Sequence, residues 1–309
     1  MRHKPAPSDS TAQTPQESCT AASIIQAMDH SIYAEPKIDC HCHVLDPQHF
    51  PYAADVGYRP SGQEVGSADY FTQVLDAYGV RHALLVGPNS GYGLDNRCLL
   101  DAIARGRGRF KGVAVAPLDA SLDQLQELKA QGIVGIAFNA ALLGVEYYAG
   151  MEPLLDRLAA QGMFAQMQAQ GDQWTALAPM FLGSNAKVLI DHCGRPELAH
   201  GIKQRGFQAL LGMAESQRTF IKLSGFVKFS EQEFPFADTL PYAQALLQAF
   251  GPASCLWASD WPFLKAERRL DIGPLLQLFV QQVPRAADRR QILWQTPMRL
   301  FGFDANPSQ

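Results

Sequence analysis

Eight short runs rich in β-branched, aromatic and aliphatic residues, each separated from the next by a helical stretch, constrain this chain more than any other feature. They span residues 38–43, 82–86, 110–114, 134–138, 164–168, 186–191, 220–223 and 255–258. Between them Leu122, Leu125 and Leu128, and again Leu154, Leu155 and Leu158, recur at helical spacing. Ser121 stands where an N-cap belongs, and Gly79, Gly132 and Gly162 follow helical runs, where a left-handed residue ends a helix. Alternation of this kind implies parallel strands joined by helical crossovers. Eight such units in one uninterrupted stretch predict a closed (β/α)8 barrel, a TIM-like α/β fold. The first strand is not followed by G-x-G-x-x-G, which argues against a dinucleotide-binding sheet. No linker-like change of composition follows residue 37, so 37–303 reads as one domain with a short tail at 304–309.

The first 36 residues are rich in Ser, Thr, Ala, Pro and Gln and lack the apolar core of a secretory signal. They read as a flexible extension, with a loose helix over 21–28 and residues 1–34 expected to be dispensable. The chain as a whole is 47% apolar and 18% charged, enough to build a large core, and its net charge of −4 gives no footprint for nucleic acid or a membrane surface. No apolar run approaches the roughly 18 residues of a membrane span. Six cysteines are scattered without C-x-x-C spacing, which reads as reduced thiols in a cytoplasmic protein, a monomer or small homo-oligomer.

A barrel of this type presents its working residues at the C-terminal ends of the strands. Polar side chains gather there. Asp39-Cys-His-Cys-His43 ends the first strand, and alternation sends His41 and His43 one way and Cys40 and Cys42 the other, toward a covering helix. Asn89 and Ser90 follow the second strand, Asn139 the fourth, Gln166 and Gln168 close the fifth, Asp191 and His192 the sixth. Ser224 and Lys228 follow the seventh, and Asp260, set between Leu256-Trp257 and Trp261-Pro262, follows the eighth. A carboxylate in such apolar company is costly unless it is paired or functional. Asp191 and Asp39 read as supports for neighbouring histidines or loops, and Arg195 as a brace of the sixth loop.

Asp39–His43, Asp191-His-Cys-Gly-Arg-Pro196, Trp257-Ala-Ser-Asp-Trp-Pro262 and Thr296-Pro-Met-Arg-Leu-Phe-Gly302, in that order, resemble the amidohydrolase superfamily. More narrowly they resemble the amidohydrolase-related branch that contains pyrone-dicarboxylate and sulfomuconolactone hydrolases. Phe50-Pro-Tyr52, Tyr58-Arg-Pro60 and Asp95-Asn-Arg97 add to the likeness, which covers about 37–303. The resemblance implies a distorted barrel and hydrolysis of an ester or lactone. It also implies that Tyr58 contacts substrate and that Lys228 pairs with a substrate carboxylate or sulfonate. Binuclear relatives carry a lysine on the fourth strand and a histidine on the fifth; this chain has Asn139 and Gln166-Met-Gln168 there, so a two-metal site is not expected. The arginines that the pyrone-dicarboxylate enzymes use around the fourth strand are absent from 137–143.

These residues lead to a lactone hydrolase acting on a small anionic lactone from aromatic or sugar-acid breakdown. Asp260 is the expected general base, with His41, His43 and His192 stabilising the oxyanion. The histidines act either directly, with no cofactor, or through one divalent ion, zinc first, held by His41, His43, His192 and Asp260. Tyr58, Asn89, Ser90, Asn139, Gln168 and Lys228 are the expected substrate contacts. Two other classes use the same pattern: a mononuclear-zinc decarboxylase, and a binding protein that kept the barrel without catalysis.

Overall fold

The computed structural model describes residues 31–304. Its strands are β1 (Lys37–Cys42), β2 (Val80–Val86), β3 (Phe110–Ala114), β4 (Ile133–Asn139), β5 (Phe164–Gln168), β6 (Lys187–Ile190), β7 (Thr219–Leu223) and β8 (Cys255–Trp257). All neighbours pair in parallel in the order β1 to β8, with helices between, so the chain forms the expected (β/α)8 barrel in a single domain. The ladder is most regular at β4–β5, where five successive residues keep register from Gly135↔Phe164 to Asn139↔Gln168. It is thinnest at the β8–β1 seam. There a single bridge, Cys42↔Trp261, is joined by two backbone hydrogen bonds, Asp260 N–H to His41 O (2.9 Å) and His43 N–H to Trp261 O (2.8 Å).

The core lies in two layers. A cluster inside the barrel gathers Ile38, Cys40, Leu84, Val113, Phe164, Leu189, Phe220 and Leu256 from seven strands and is closed below by Phe301 and Phe303. The larger cluster lies between strands and helices and includes Leu154, Leu155 and Leu158 on the helix Glu152–Gln161. Ser121 caps Leu122–Ala130 as its sequence suggests, accepting a hydrogen bond from Gln124 N–H, although only Leu125 of that helix's leucines is fully buried.

Two expectations are corrected. Cys40 and Cys42 do not share a side: Cys40 joins the interior cluster and Cys42 the outer one. The register shifts between Asp39 and Cys42, and a bulge breaks simple alternation at that point. The ordered body also begins before residue 37, for Ser31–Ala34 is a helix with Ile32 fully buried. Removing residues through 34 would therefore open a hole in the core; the stretch 21–28 and residues 305–309 lie outside the described residues.

Candidate active site

Three loops at the C-terminal mouth of the barrel converge on one carboxylate oxygen. The Nε2 atoms of His41, His43 and His192 lie 3.9, 3.7 and 3.6 Å from Asp260 Oδ1. All four residues are buried and line a cavity of about 500 Å³. The backbone that holds them is strained: His192, Cys193, Arg195 and Asp260 all have φ between +46° and +63°, a region that non-glycine residues enter at a cost. Gly225 (φ +64°) packs directly against the His192 ring; a Cβ there would collide with it.

The other ring nitrogens show what each histidine can do. His43 Nδ1 lies 2.8 Å from Val86 O, a pure acceptor, so Nδ1 carries the proton and the neutral ring leaves Nε2 with a lone pair. His192 Nδ1 meets Ser224 Oγ at 3.2 Å. His41 Nδ1 stands between the acceptor-only Asp191 Oδ1 (3.0 Å) and the donor-only Lys222 Nζ (3.1 Å). Lys222 also donates to Gln166 Oε1 (2.7 Å) and pairs with Asp191 Oδ1 (3.0 Å), while Gln166 Nε2 donates to Asp191 Oδ2 (3.0 Å). This closed network inside the barrel leaves neither buried charge unpaired. It also lets His41 present either a proton or a lone pair at Nε2, depending on which neighbour its Nδ1 engages.

Burial pushes His41 down to about 4, against the pull of Asp191, and His192 down to about 3, against that of Asp260. Both rings are neutral near pH 7. Burial would raise Asp260, but the charges of Lys228 and His192 outweigh it and hold the carboxyl well below its ordinary range. Lys228 Nζ lies 3.1 Å from Asp260 Oδ2 and donates to Leu264 O at 2.6 Å. Asp39, behind the site, accepts from Ser259 N–H (3.0 Å), Ser259 Oγ–H and His41 N–H (3.2 Å); its burial still pushes it up to about 6.

Asn89, Ser90, Asn139, Gln168 and Lys228 all line the cavity with the central four. Tyr58 does not. Its hydroxyl donates to Glu64, and its ring lies under Lys265 Nζ at 4.6 Å, so it props the outer loop and is not part of the cavity wall. Cys193, next to His192, directs its thiol toward Ser224 O, and burial pushes that thiol up to about 12, which leaves it a poor nucleophile. Sequence reading passed over Lys222 and Ser259. For Lys222 a signal was present: a lysine at an interior-facing position of the apolar run 219–223, two residues from Phe220 and from Ser224.

The donor set suits a divalent ion. Ligand atoms of His41, His192 and Asp260 lie within 4.8 Å of one another, and three converging acceptors need a shared cation or protons between them. His43 stands outside that tight group, so the four-ligand set expected from sequence contracts to three.

A sequence model of the amidohydrolase family matches residues 38–303. The chain is 32% identical over 274 residues to a 4-sulfomuconolactone hydrolase from Rhizobium radiobacter, covering 85% of this chain and 89% of that enzyme. It is 27% identical over 277 residues to a 2-pyrone-4,6-dicarboxylate hydrolase from Comamonas testosteroni, again covering 85% and 89%. Among solved structures, a probable 2-pyrone-4,6-dicarboxylic acid hydrolase from Acinetobacter baumannii with citric acid bound is similar at a TM-score of 0.77 and 27% identity, over 86% of this chain and 99% of that one.

Proposed function

The chain belongs to the amidohydrolase family, and on that premise we propose that it is a hydrolase opening the ester bond of a small anionic lactone in aromatic or sugar-acid catabolism. The observation that carries this reading is the convergence of three imidazoles on Asp260 Oδ1, at 3.6 to 3.9 Å, in the floor of the mouth cavity. Asp260 is ionised at working pH and takes a proton from water. The water oxygen attacks the lactone carbonyl. His41, with Nδ1 accepting from Lys222, and His192, with Nδ1 accepting from Ser224, present Nε2–H groups to the developing oxyanion. His43, held by Val86 O, offers a lone pair that orients the water. The ring C–O bond then breaks, and Asp260 returns the proton to the leaving oxygen, so one water is consumed and a hydroxy acid released.

A divalent ion, when bound by His41, His192 and Asp260, would supply Lewis-acid polarisation of the carbonyl. Lys222 and Lys228 already balance Asp191 and Asp260 in charge, which favours the histidines acting directly. The enzyme works on a small molecule, without nucleic acid, as a monomer or small homo-oligomer in the cytoplasm; the five described cysteines are free and buried. Among the described residues no helix is long and apolar enough to cross a membrane.

The test is a panel of anionic lactones assayed with chelator-treated and zinc-loaded protein, with carbon dioxide release followed in parallel. Ring opening that survives chelation is expected. Release of carbon dioxide without ring opening would replace the reading with decarboxylation, and activity only after zinc loading would replace the direct role of the histidines.

A further inference from the structure

The cavity is electrically lopsided. In an eight-stranded barrel β2 lies across from β6 and β4 from β8. The wall after β2 and β4 is formed by Pro88, Asn89, Ser90, Phe138, Asn139, Ala141 and Leu142 and carries no charge. The wall after β6 to β8 carries the cations Arg195, Lys228, Lys265 and Arg268 and the exposed Glu267. Most of these cations are engaged. Lys228 holds Asp260, Arg268 pairs with Glu233 at 3.1 Å, and Lys265 lies over the Tyr58 ring.

Arg195 differs. Its backbone is fixed on both sides, N–H donating to His192 O (2.9 Å) and C=O accepting from Gly171 N–H (3.0 Å). Its side chain makes no ion pair or hydrogen bond among the described residues, and its Nε is buried without a partner. Asp260 acts on this guanidinium electrostatically, but no acceptor among the described residues is hydrogen-bonded to it, and a planar donor fork in a cavity wall suits an incoming anion. On the uncharged wall, after β4, Leu142 is 57% exposed at the cavity mouth, a leucine left for something apolar to cover. With one cation that makes no hydrogen bond to the described residues and an uncharged, partly apolar wall elsewhere, the cavity matches a ligand bearing one negative charge and one neutral substituent.

We infer that the substrate is a monoanionic lactone whose acidic group pairs with Arg195 and whose uncharged, partly apolar substituent lies against Phe138, Ala141 and Leu142. This rests on the lactonase reading and narrows it, for it excludes a dianion: a second carboxylate would meet no cation on the β2 and β4 side. Asn89 and Asn139 can serve a neutral polar group there: Asn139 spends its carbonyl on Leu142 N–H (3.0 Å) and one amide hydrogen on Asn89 Oδ1 (3.5 Å), which leaves its other amide hydrogen and the Asn89 amide to donate.

The test uses the full chain and matched lactones that are neutral, monoanionic with an alkyl substituent, or dianionic. Binding of the corresponding non-hydrolysable lactams is measured by calorimetry alongside turnover. The monoanion should exceed both others in kcat/KM by about tenfold or more, as expected for one charge-assisted buried hydrogen-bonded pair. Arg195→Gln should cut the monoanion-to-neutral ratio by a similar factor, chiefly through KM, and Arg195→Lys should restore part of it. Leu142→Arg should move preference toward the dianion. A wild-type preference for the dianion or the neutral lactone overturns the inference, as does an equal loss on all substrates in a folded Arg195→Gln protein. If no lactone is opened in any metal state the lactonase reading fails, and the lactam affinities still decide the charge preference separately.

Discussion

The β4–β5 ladder and the β8–β1 seam are both walls of one barrel, yet they are held by different means. At β4–β5 five residues in register supply the closure, and the backbone needs no help from side chains. At β8–β1 the ladder has shrunk to one bridge and two flanking hydrogen bonds, and the Asp39 carboxylate completes the join by accepting from Ser259 and His41. The thin seam is also where His41, His43 and Asp260 sit. A continuous ladder aligns strands but leaves alternation in force. The bulge in β1 and the left-handed turn at Asp260 give up pairing so that these side chains can face one another. The site is thus built where the sheet is weakest, and one buried carboxylate makes up the difference.

The largest expected effect is on turnover. Asp260→Asn should lower kcat by about a hundredfold or more while Tm stays close to wild type, because the amide oxygen can still accept from Lys228. Metal content should be measured with it, since Asp260 also belongs to the ligand set. Near-normal kcat in folded protein would take Asp260 out of the mechanism.

Next comes the clasp. Asp39→Ala strips the acceptors from two buried N–H groups and a hydroxyl, so a loss of about 3 kcal/mol or more is expected by urea unfolding, with activity falling as the seam loosens. Ile136→Val, equally buried but in the ladder strand β4, should cost about 1 kcal/mol and leave kcat unchanged. Equal costs at the two positions, or a loss of activity from the β4 change, would erase the distinction between the walls.

The smallest effect is a pH slope. His41 and His192 titrate near 4 and 3 in the folded state, below the ordinary 6.5, so below pH 6.5 the unfolded chain binds protons that the folded one refuses. Stability from these two groups is therefore complete above 6.5 and is lost as pH falls. Asp39 acts the other way: raised from 3.8 to about 6, it makes the folded state gain stability as pH drops through that window. His82, which burial also lowers, acts with the two histidines, so three groups oppose one and the net change from pH 6.5 to 4.5 should be a loss, with Asp191 and Asp260 adding to it only below about 3.8. Unfolding midpoints that stay flat or rise on acidification would show that the histidines are not held neutral.

Much of this was readable from the chain. The eight strands announced themselves as apolar runs, and two of them, β3 and β5, keep the expected bounds; β2 starts two residues earlier and β4 gains one at each end, because ladder partners extend a strand beyond its apolar centre. His41, His43, His192 and Asp260 were legible because a barrel places strand-end side chains together whatever their distance in sequence. Lys222 was not, since attention to strand ends passes over a charge within a strand. Cys40 was misplaced because a bulge leaves no mark in composition. Tyr58 was assigned by likeness to other chains, and its role here depends on Glu64, a partner that strand-end reasoning does not supply.

The two main-chain hydrogen bonds across the seam also separate what the molecule does from what it acts upon. They lock segments 39–43 and 259–261 into one rigid cassette, with the spacing between carboxylate and imidazoles set by peptide geometry. The start of the loop that follows steadies Asp260 through Phe263 N–H and through Leu264 O, which holds Lys228, but its outer part, carrying Lys265 and Arg268, and the turn bearing Leu142 lie outside the cassette. Substitutions and length changes there can retune the choice of ligand without moving the reacting groups. The same cassette could be transplanted between barrels as a unit, with the surrounding loops left to drift.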